Sequence, residues 1–319
     1  MNPFRFAAAL SCAGALGGPA AFAHAVCGDR VFPVTLTIDD PGVSDEVSLP
    51  TFIYQRGGAD GGPGPTHEYD FDVEYTKRIT KDFGISLDYG WSVQQTDHAK
   101  TQTGFGNLSA TAKYQTCVSA DHEFIVALGV EREFGRTGTA HTGADEYGAT
   151  TPTLYFGKGF GDVPVDYLRP FAITGQFSYT VADKALKGTP VTDPDTGISS
   201  LQYNGGNPNQ WFGGISLQYS LPYLQSQVKN IGLPDFVGRL TPLVEITWSS
   251  PATSPSTQGT TWTVAPGVLY SADTYQVGVE LLIPANRAAG TNVGVIAQFH
   301  MFLDDLLPGS ILGRPLFDF

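Results

Sequence analysis

Residues 69–93 read YDFDVEYTKRITKDFGISLDYGWSV, and this stretch decides the fold. Large apolar side chains alternate with Asp, Glu, Ser and Gly over residues 69–75 and again over 85–93, which is the period of a β-strand with one apolar face. The intervening KDFG at 81–84 is typical of a tight turn. The stretch therefore predicts two antiparallel strands joined as a hairpin.

The same alternation recurs along the chain in runs of about ten residues, which is the length of a tilted strand that crosses a membrane. The runs are Val47–Gln55, Leu108–Tyr114, Phe124–Val130, Phe171–Tyr179, Trp211–Leu221, Leu240–Trp248, Trp262–Tyr270, Tyr275–Ile283 and Val293–Leu303, with a weaker one at Thr151–Phe160. A soluble β-sandwich gives the same alternation, so the sandwich and a membrane-spanning barrel have to be distinguished by the connections between the runs.

These connections alternate in length. The short ones are residues 80–84, 118–121, 161–165 and 271–273, and the long ones are residues 95–103, 135–150, 182–208, 249–259 and 285–291. Transmembrane barrels have this asymmetry, with short periplasmic turns and long extracellular loops. The connection at residues 223–235 is long, although the alternation predicts a short periplasmic turn there. We expect a helical turn at 224–228 within it. The sequence predicts an all-β fold, a transmembrane antiparallel up-and-down β-barrel of about 12 strands.

The first residues have the pattern of a secretory signal peptide, because Arg5 precedes an apolar run that ends in small residues. We therefore expect a protein of the bacterial outer membrane with four regions. They are a signal peptide (1–25), a periplasmic N-terminal segment (26–46), the barrel (47–303) and a periplasmic C-terminal tail (304–319). The partners expected of such a barrel are outer-membrane lipid, lipopolysaccharide, the barrel-assembly machinery and a small-molecule solute.

The composition and the motifs exclude several function classes. The net charge of −13 argues against a nucleic-acid partner, which requires a basic face. The histidines lack metal-ligand spacing, and the sequence has no Cys-x-x-Cys, no Gly-x-Ser-x-Gly and no phosphate-binding loop. The acid pairs Asp39-Asp40 and Asp304-Asp305 are interpreted as solvated turn residues. We therefore predict no enzyme, no catalytic residues, no metal site and no cofactor.

Two cysteines follow the signal peptide, Cys27 and Cys117. Cys27 precedes the first strand and Cys117 lies beside a short turn, so both belong to the periplasmic end. In an oxidising compartment such a pair favours a disulfide, although two free thiols remain an alternative.

If the apolar residues face lipid, their neighbours face the lumen. The lumen-lining candidates in the strands are mostly acidic; they are Asp70, Asp72, Glu74, Asp88, Lys113, Glu131, Glu133, Glu245, Glu280, Gln298 and His300. A narrow lumen with this surplus of carboxylates favours cations over anions.

Three hypotheses about function follow. The first is a channel for small solutes, and the second is a structural or partner-binding barrel whose lumen is plugged by residues 26–44 or by the C-terminal tail. The third is a hydrolase that uses His300 with a serine in the lumen, which would also need a residue to orient the histidine. We favour the channel.

Several stretches resemble a known family. They are GFGNLSATAKY at 104–114, TVAPGVLY at 263–270, YQVGVE at 275–280 and LIP at 282–284. They resemble the strands of an outer-membrane transporter family linked to the meta-pathway of phenol degradation, and the likeness extends over roughly residues 104–302. The resemblance implies an outer-membrane barrel that takes up aromatic or other small hydrophobic compounds, and it brings no catalytic residues with it.

Overall fold

In the computed structural model the chain folds as a closed antiparallel β-barrel of twelve strands. The structure describes residues 25–57, 64–192, 199–253 and 259–317. The expected signal peptide lies almost wholly outside the described residues. Among the described residues, none of the helices combines the length and the hydrophobicity needed to cross a bilayer.

The strands in chain order are β1 (Ala25–Cys27), β2 (Arg30–Phe32), β3 (Glu46–Arg56), β4 (Thr66–Arg78), β5 (Phe83–Thr96), β6 (Gln102–Phe105), β7 (Leu108–Ser119), β8 (Phe124–Phe134), β9 (Ala149–Gly159), β10 (Phe171–Ala182), β11 (Gly188–Thr192), β12 (Ser199–Tyr203), β13 (Gln210–Tyr219), β14 (Leu240–Pro251), β15 (Thr261–Ser271), β16 (Tyr275–Pro284) and β17 (Gly294–Phe302). The wall consists of β3–β5, β7–β10 and β13–β17, and it closes where β17 pairs with β3. The predicted fold and strand number are confirmed.

The remaining elements lie at the two ends of the wall. Strand β6 extends the edge of β5, while β1–β2 and β11–β12 are separate hairpins. The short helices are α1 (Leu221–Tyr223), α2 (Asp235–Gly238) and α3 (Leu303–Leu306), with a π-helical turn at Leu224–Val228. This turn confirms the helical turn expected in the long connection between β13 and β14.

The alternation in the sequence corresponds to the two faces of the wall. On β8, Leu128 is 52% exposed on the outer surface, while its neighbours Ala127 and Gly129 are buried on the inner one. Aromatic rings pack at both ends of the barrel, for example Tyr179 against Trp211 at 4.3 Å on the side of the long loops. An apolar outer band with aromatic rings near both margins suits a bilayer and its two interfaces.

The N-terminal segment differs from the prediction. Residues 26–46 were expected below the barrel in the periplasm, and only the second hypothesis placed residues 26–44 in the lumen. Residues 25–45 run into the barrel and pack against the inner face of the wall. Phe32 is fully buried, and the Val34 carbonyl accepts a hydrogen bond of 2.6 Å from Gln276 on β16. This segment is called the plug below. Its contacts bury both its own polar groups and those of the wall, which a free periplasmic segment would leave in water.

The C-terminal tail stays at the end with the short connections. The backbone N–H of Phe317 donates to the Ile79 carbonyl at 2.9 Å, beside the turn between β4 and β5. Arg78 joins the two ends of the chain, because its side chain pairs with Asp304 at 3.1 Å and with Asp45 at 2.9 Å.

The predicted disulfide between Cys27 and Cys117 is not formed, because both cysteines are free. Cys27 is fully buried inside the barrel, where its Sγ lies 3.1 Å from the Ser119 carbonyl oxygen, whereas Cys117 is exposed. The two residues lie at the same end of the barrel, but one thiol points inward and the other outward. Burial raises the pKa of the Cys27 thiol.

A candidate solute cavity above the plug

The base of the plug is held by Arg30, whose side chain is fully buried. Its guanidinium group donates to Glu123 Oε2 at 3.0 Å and to the carbonyl oxygens of Pro170 and Arg169 at 3.2 and 2.5 Å. It also lies 3.6 Å from the ring centre of Tyr223. These contacts join the plug to three connections at the periplasmic end, and Arg30 is the donor in each of the hydrogen bonds.

The middle of the plug is held by Lys113 on β7. Its ammonium group donates to Asp39 Oδ2 at 2.5 Å and to the Asp40 carbonyl at 3.0 Å. Asp40 is buried, and burial raises its pKa to about 7, although Lys113 opposes this change. Lys113 is the one lysine or arginine among the predicted lumen-lining residues, and this ion pair holds it against the plug.

A cavity with a volume of about 560 Å³ lies in the barrel above the plug. Asp39 and Thr37 of the plug form part of its floor, and its upper wall includes Thr180 and Gln210, which lie close to the outer ends of β10 and β13. The wall between them carries carboxylates and many hydroxyl groups, so a solute inside would contact polar oxygen atoms on most sides.

Six of the sequence-predicted lumen residues line this cavity, namely Asp72, Glu74, Asp88, Glu131, Gln298 and His300. Lys113 lies beneath it against Asp39, and Asp70 and Glu133 lie higher on the inner faces of β4 and β8. Glu245 and Glu280 are not part of the cavity, because they are buried under the plug.

The sequence reasoning missed Asp39, Glu46 and a set of hydroxyl side chains. These hydroxyl residues alternate along the inner faces of neighbouring strands, and they include Ser86, Ser109, Thr111, Thr151, Thr153, Ser178 and Ser249. Their period-two spacing between apolar residues is visible in the sequence and could have identified them. Asp39 could not be placed in that way, since the plug has no such period.

His300 lies in a three-residue chain at the seam where the barrel closes. Its Nδ1 is 2.8 Å from Ser48 Oγ, and its Nε2 is 3.0 Å from Glu46 Oε2. A serine, a histidine and an orienting carboxylate are the parts that the hydrolase hypothesis requires. The cavity beside them, however, is lined by Asp72, Glu74 and Asp88. These carboxylates would oppose the negative charge of a tetrahedral intermediate, so the arrangement favours a hydrogen-bonded seam over a hydrolase.

Glu245 and Glu280 form a second acidic site, separate from the cavity. Glu245 on β14 faces Ala265, and Glu280 on β16 faces Gly267, so both glutamates extend over the small residues of β15. The exposed fractions of the two side chains are 0% and 1%. Thr37 of the plug donates to Glu245 Oε2 through its backbone N–H at 2.7 Å and through its hydroxyl group.

A second cavity, of about 320 Å³, lies above these two glutamates on the other side of the plug. It is lined by Leu36 and Thr37 of the plug and by inward-facing residues of the wall, including Thr247 and Leu282. The plug therefore divides the upper lumen into an acidic, hydroxyl-lined cavity and a smaller, more apolar one. Among the described residues, no group of three or more His, Cys, Asp or Glu side chains is arranged to hold a metal ion.

No protein-family model and no curated protein matches the chain. Among solved structures, an outer-membrane channel from Pseudomonas putida F1 is similar with a TM-score of 0.55 at 9% identity, over 85% of this chain and 99% of that one. The NanC porin has a TM-score of 0.46 at 11% identity, over 80% of this chain and 98% of the porin. The similarity to the first structure shows the fold, which is that of an outer-membrane β-barrel.

Proposed function

We propose that this barrel is a channel of the outer membrane for small polar solutes, that it prefers cations, and that the plug controls passage through it. The observation that carries the proposal is the cavity of about 560 Å³ above the plug, whose wall includes Asp72, Glu74, Asp88 and Glu131. A cavity with low-dielectric walls concentrates the field of such carboxylates and attracts cations.

The plug supports a controlled channel more than a permanently open pore. Its base is held by the buried network of Arg30, while its upper part, around Thr37 and Asp39, lies between the two cavities. Passage of a solute requires residues of this upper part to move, and the base can keep the segment attached while they do so.

The class of solute is a separate step of the proposal. The family resemblance implies aromatic or other hydrophobic compounds, and that expectation stays a prediction. The lining of the larger cavity favours a different solute, because carboxylates and hydroxyl groups lose their hydration without compensation when an apolar ring enters. A small cation with hydrogen-bond donors satisfies the same groups.

A structural or partner-binding barrel is the second candidate function. The observation that favours it is the buried hydrogen-bond network at the plug's base, in which Arg30 and Glu123 join three connections of the periplasmic end, one of them through the hydroxyl group of Tyr223. A plug fixed in this way over its whole length would block the lumen permanently.

Single-channel recording in planar bilayers separates these proposals. We expect the wild-type protein to conduct, with a reversal potential in a salt gradient that shows cation preference. Replacing the four cavity acids together (Asp72→Asn, Glu74→Gln, Asp88→Asn and Glu131→Gln) is expected to lower the ratio of cation to anion permeability several-fold. The matched control replaces Asp121 and Asp235, which lie in periplasmic connections, by Asn and should leave that ratio unchanged.

A second variant tests the role of the plug. Replacing residues 34–42 by a Gly-Ser sequence of equal length removes the upper plug and keeps Arg30 and its network. We expect a larger conductance and more frequent opening in this variant. If neither it nor the wild type conducts after correct folding, the channel proposal is wrong and the structural barrel is favoured.

A further inference from the structure

We propose that Glu245 and Glu280 bind one calcium ion between the barrel wall and the plug. The site is distinct from the larger cavity, and the sequence gives no metal-binding motif for it. The inference does not depend on the barrel being a channel, because it concerns only how the plug is attached to the wall.

The first argument is the set of oxygen atoms without partners. Glu245 Oε1 and both carboxyl oxygens of Glu280 are buried and accept no hydrogen bond from the described residues. The backbone N–H of Leu36 and the carboxyl group of Glu245 both lie close to the Glu280 carboxyl group. Buried carboxyl oxygens are costly unless they are hydrogen-bonded or bind a cation, so three such atoms at one place point to cation binding.

The second argument is charge. The basic side chains that form ion pairs inside the barrel use other carboxylates: Arg30 binds Glu123, Lys113 binds Asp39, and Lys77 binds Asp45. Among the described residues, no Lys, Arg or His forms an ion pair with Glu245 or Glu280. The two glutamates are therefore neighbours without a protein cation to compensate them.

The third argument concerns the alternative of a shared proton. Glu245 Oε2 accepts two hydrogen bonds from Thr37, which is the environment of an ionised carboxylate. One proton shared with Glu280 would leave one negative charge buried and unpaired. A divalent cation neutralises both carboxylates and uses all three free oxygen atoms.

The ligand chemistry selects the ion. Carboxylate oxygens without nitrogen or sulfur ligands favour a hard cation, calcium or magnesium. Calcium accepts irregular coordination and bidentate carboxylates, whereas magnesium requires a nearly ideal octahedron. The second cavity begins one inward-facing residue above the site, because Thr247 and Leu282 in its wall are the next inward-facing residues after Glu245 and Glu280.

The test measures metal content on protein refolded into detergent without lipopolysaccharide, which itself binds divalent cations. After dialysis against calcium and removal of the free ion, mass spectrometry of the metal should find one calcium per wild-type chain. Glu280→Gln should bind none, because the amide removes one carboxylate at nearly equal volume. The matched control Glu131→Gln, which changes an acid of the larger cavity, should still bind one.

Thermal unfolding gives a second measurement on the same samples. Chelation by EDTA should lower the unfolding midpoint of the wild type and of Glu131→Gln, but not that of Glu280→Gln. A wild-type chain that holds no calcium and has an EDTA-insensitive midpoint would overturn the proposal in favour of a shared proton. Calcium retained by a folded Glu280→Gln chain would overturn it as well. If Glu280→Gln does not fold, Glu245→Gln and the wild-type measurements decide.

Discussion

The two sides of the lumen contain the same type of side chain in opposite environments. On one side Asp72, Asp88 and Glu131 line a cavity above the plug, and on the other side Glu245 and Glu280 are buried under it. All of them face inward from strands of the wall. The difference arises from the plug, which leaves the first side open and packs Leu36 and Thr37 against the second.

This comparison shows that the wall alone does not determine the chemistry of a lumen residue. An acid of the open cavity lines space that a solute can enter, so it contributes to the electrostatic potential that the solute meets. An acid under the plug loses its hydration and has to find a donor or a cation within the protein. The same residue type therefore contributes to solute selection on one side and to attachment of the plug on the other.

The largest expected effect comes from truncating an acid on the side of the lumen that the plug covers, which is called the dry side below. Glu245→Ala leaves the N–H and the hydroxyl group of Thr37 buried without an acceptor, which is expected to lower the free energy of unfolding by about 3 kcal/mol. Glu131→Ala in the open cavity should change it by less than about 0.5 kcal/mol, since it removes a carboxylate without a described hydrogen bond. Urea unfolding followed by tryptophan fluorescence measures both. Equal losses would remove the distinction between the two sides.

A smaller effect is expected from filling the space beneath Glu280. A Cβ atom on Gly267 would lie 2.3 Å from Glu280 Cγ and 2.4 Å from the Val279 carbonyl oxygen, so the neighbouring strand has to shift. We expect Gly267→Ala to lower the free energy of unfolding by about 2 kcal/mol through overpacking. Ser109→Ala, at the wall of the open cavity, provides the comparison and should be nearly neutral. A Gly267→Ala protein as stable as the wild type would mean that the dry side is loosely packed.

The smallest effect concerns a single hydrogen bond. Thr37→Val keeps the side-chain volume and the backbone N–H but removes the hydroxyl donor to Glu245, and it is expected to cost about 1 kcal/mol. Thr111→Val, in the wall of the open cavity, is the matched substitution and should cost less. The same unfolding measurement applies, and limited proteolysis of the plug gives a second readout. A larger loss for Thr111→Val would reverse the assignment of the two sides.

Much of the wall could be predicted from the sequence, because each strand carries its own information. The alternation of Tyr69, Phe71 and Val73 with acids fixes both the strand and the direction of its side chains. The lengths of the connections then fix which end is periplasmic. These signals are local, so neither requires knowledge of distant residues.

The plug was proposed from the sequence only as one alternative, residues 26–44 or the C-terminal tail, because its position depends on contacts far along the chain. Thr37 and Glu245 are 208 residues apart, and Val34 and Gln276 are 242 residues apart. The disulfide prediction failed for a related reason. It assumed that Cys27 and Cys117 share the periplasmic end, which says nothing about which side of the wall each thiol faces.

The closure of the barrel has a consequence for the order of assembly. The wall is complete only when the last strand, β17, pairs with the first, β3. The plug precedes β3, the first strand of the wall, yet it contacts strands as far along the chain as β7 and β16. A segment of this kind cannot be threaded in easily after closure, so the sheet has to wrap around it as it grows. The earliest residues of the barrel thus act as an internal scaffold for strands that are synthesised last.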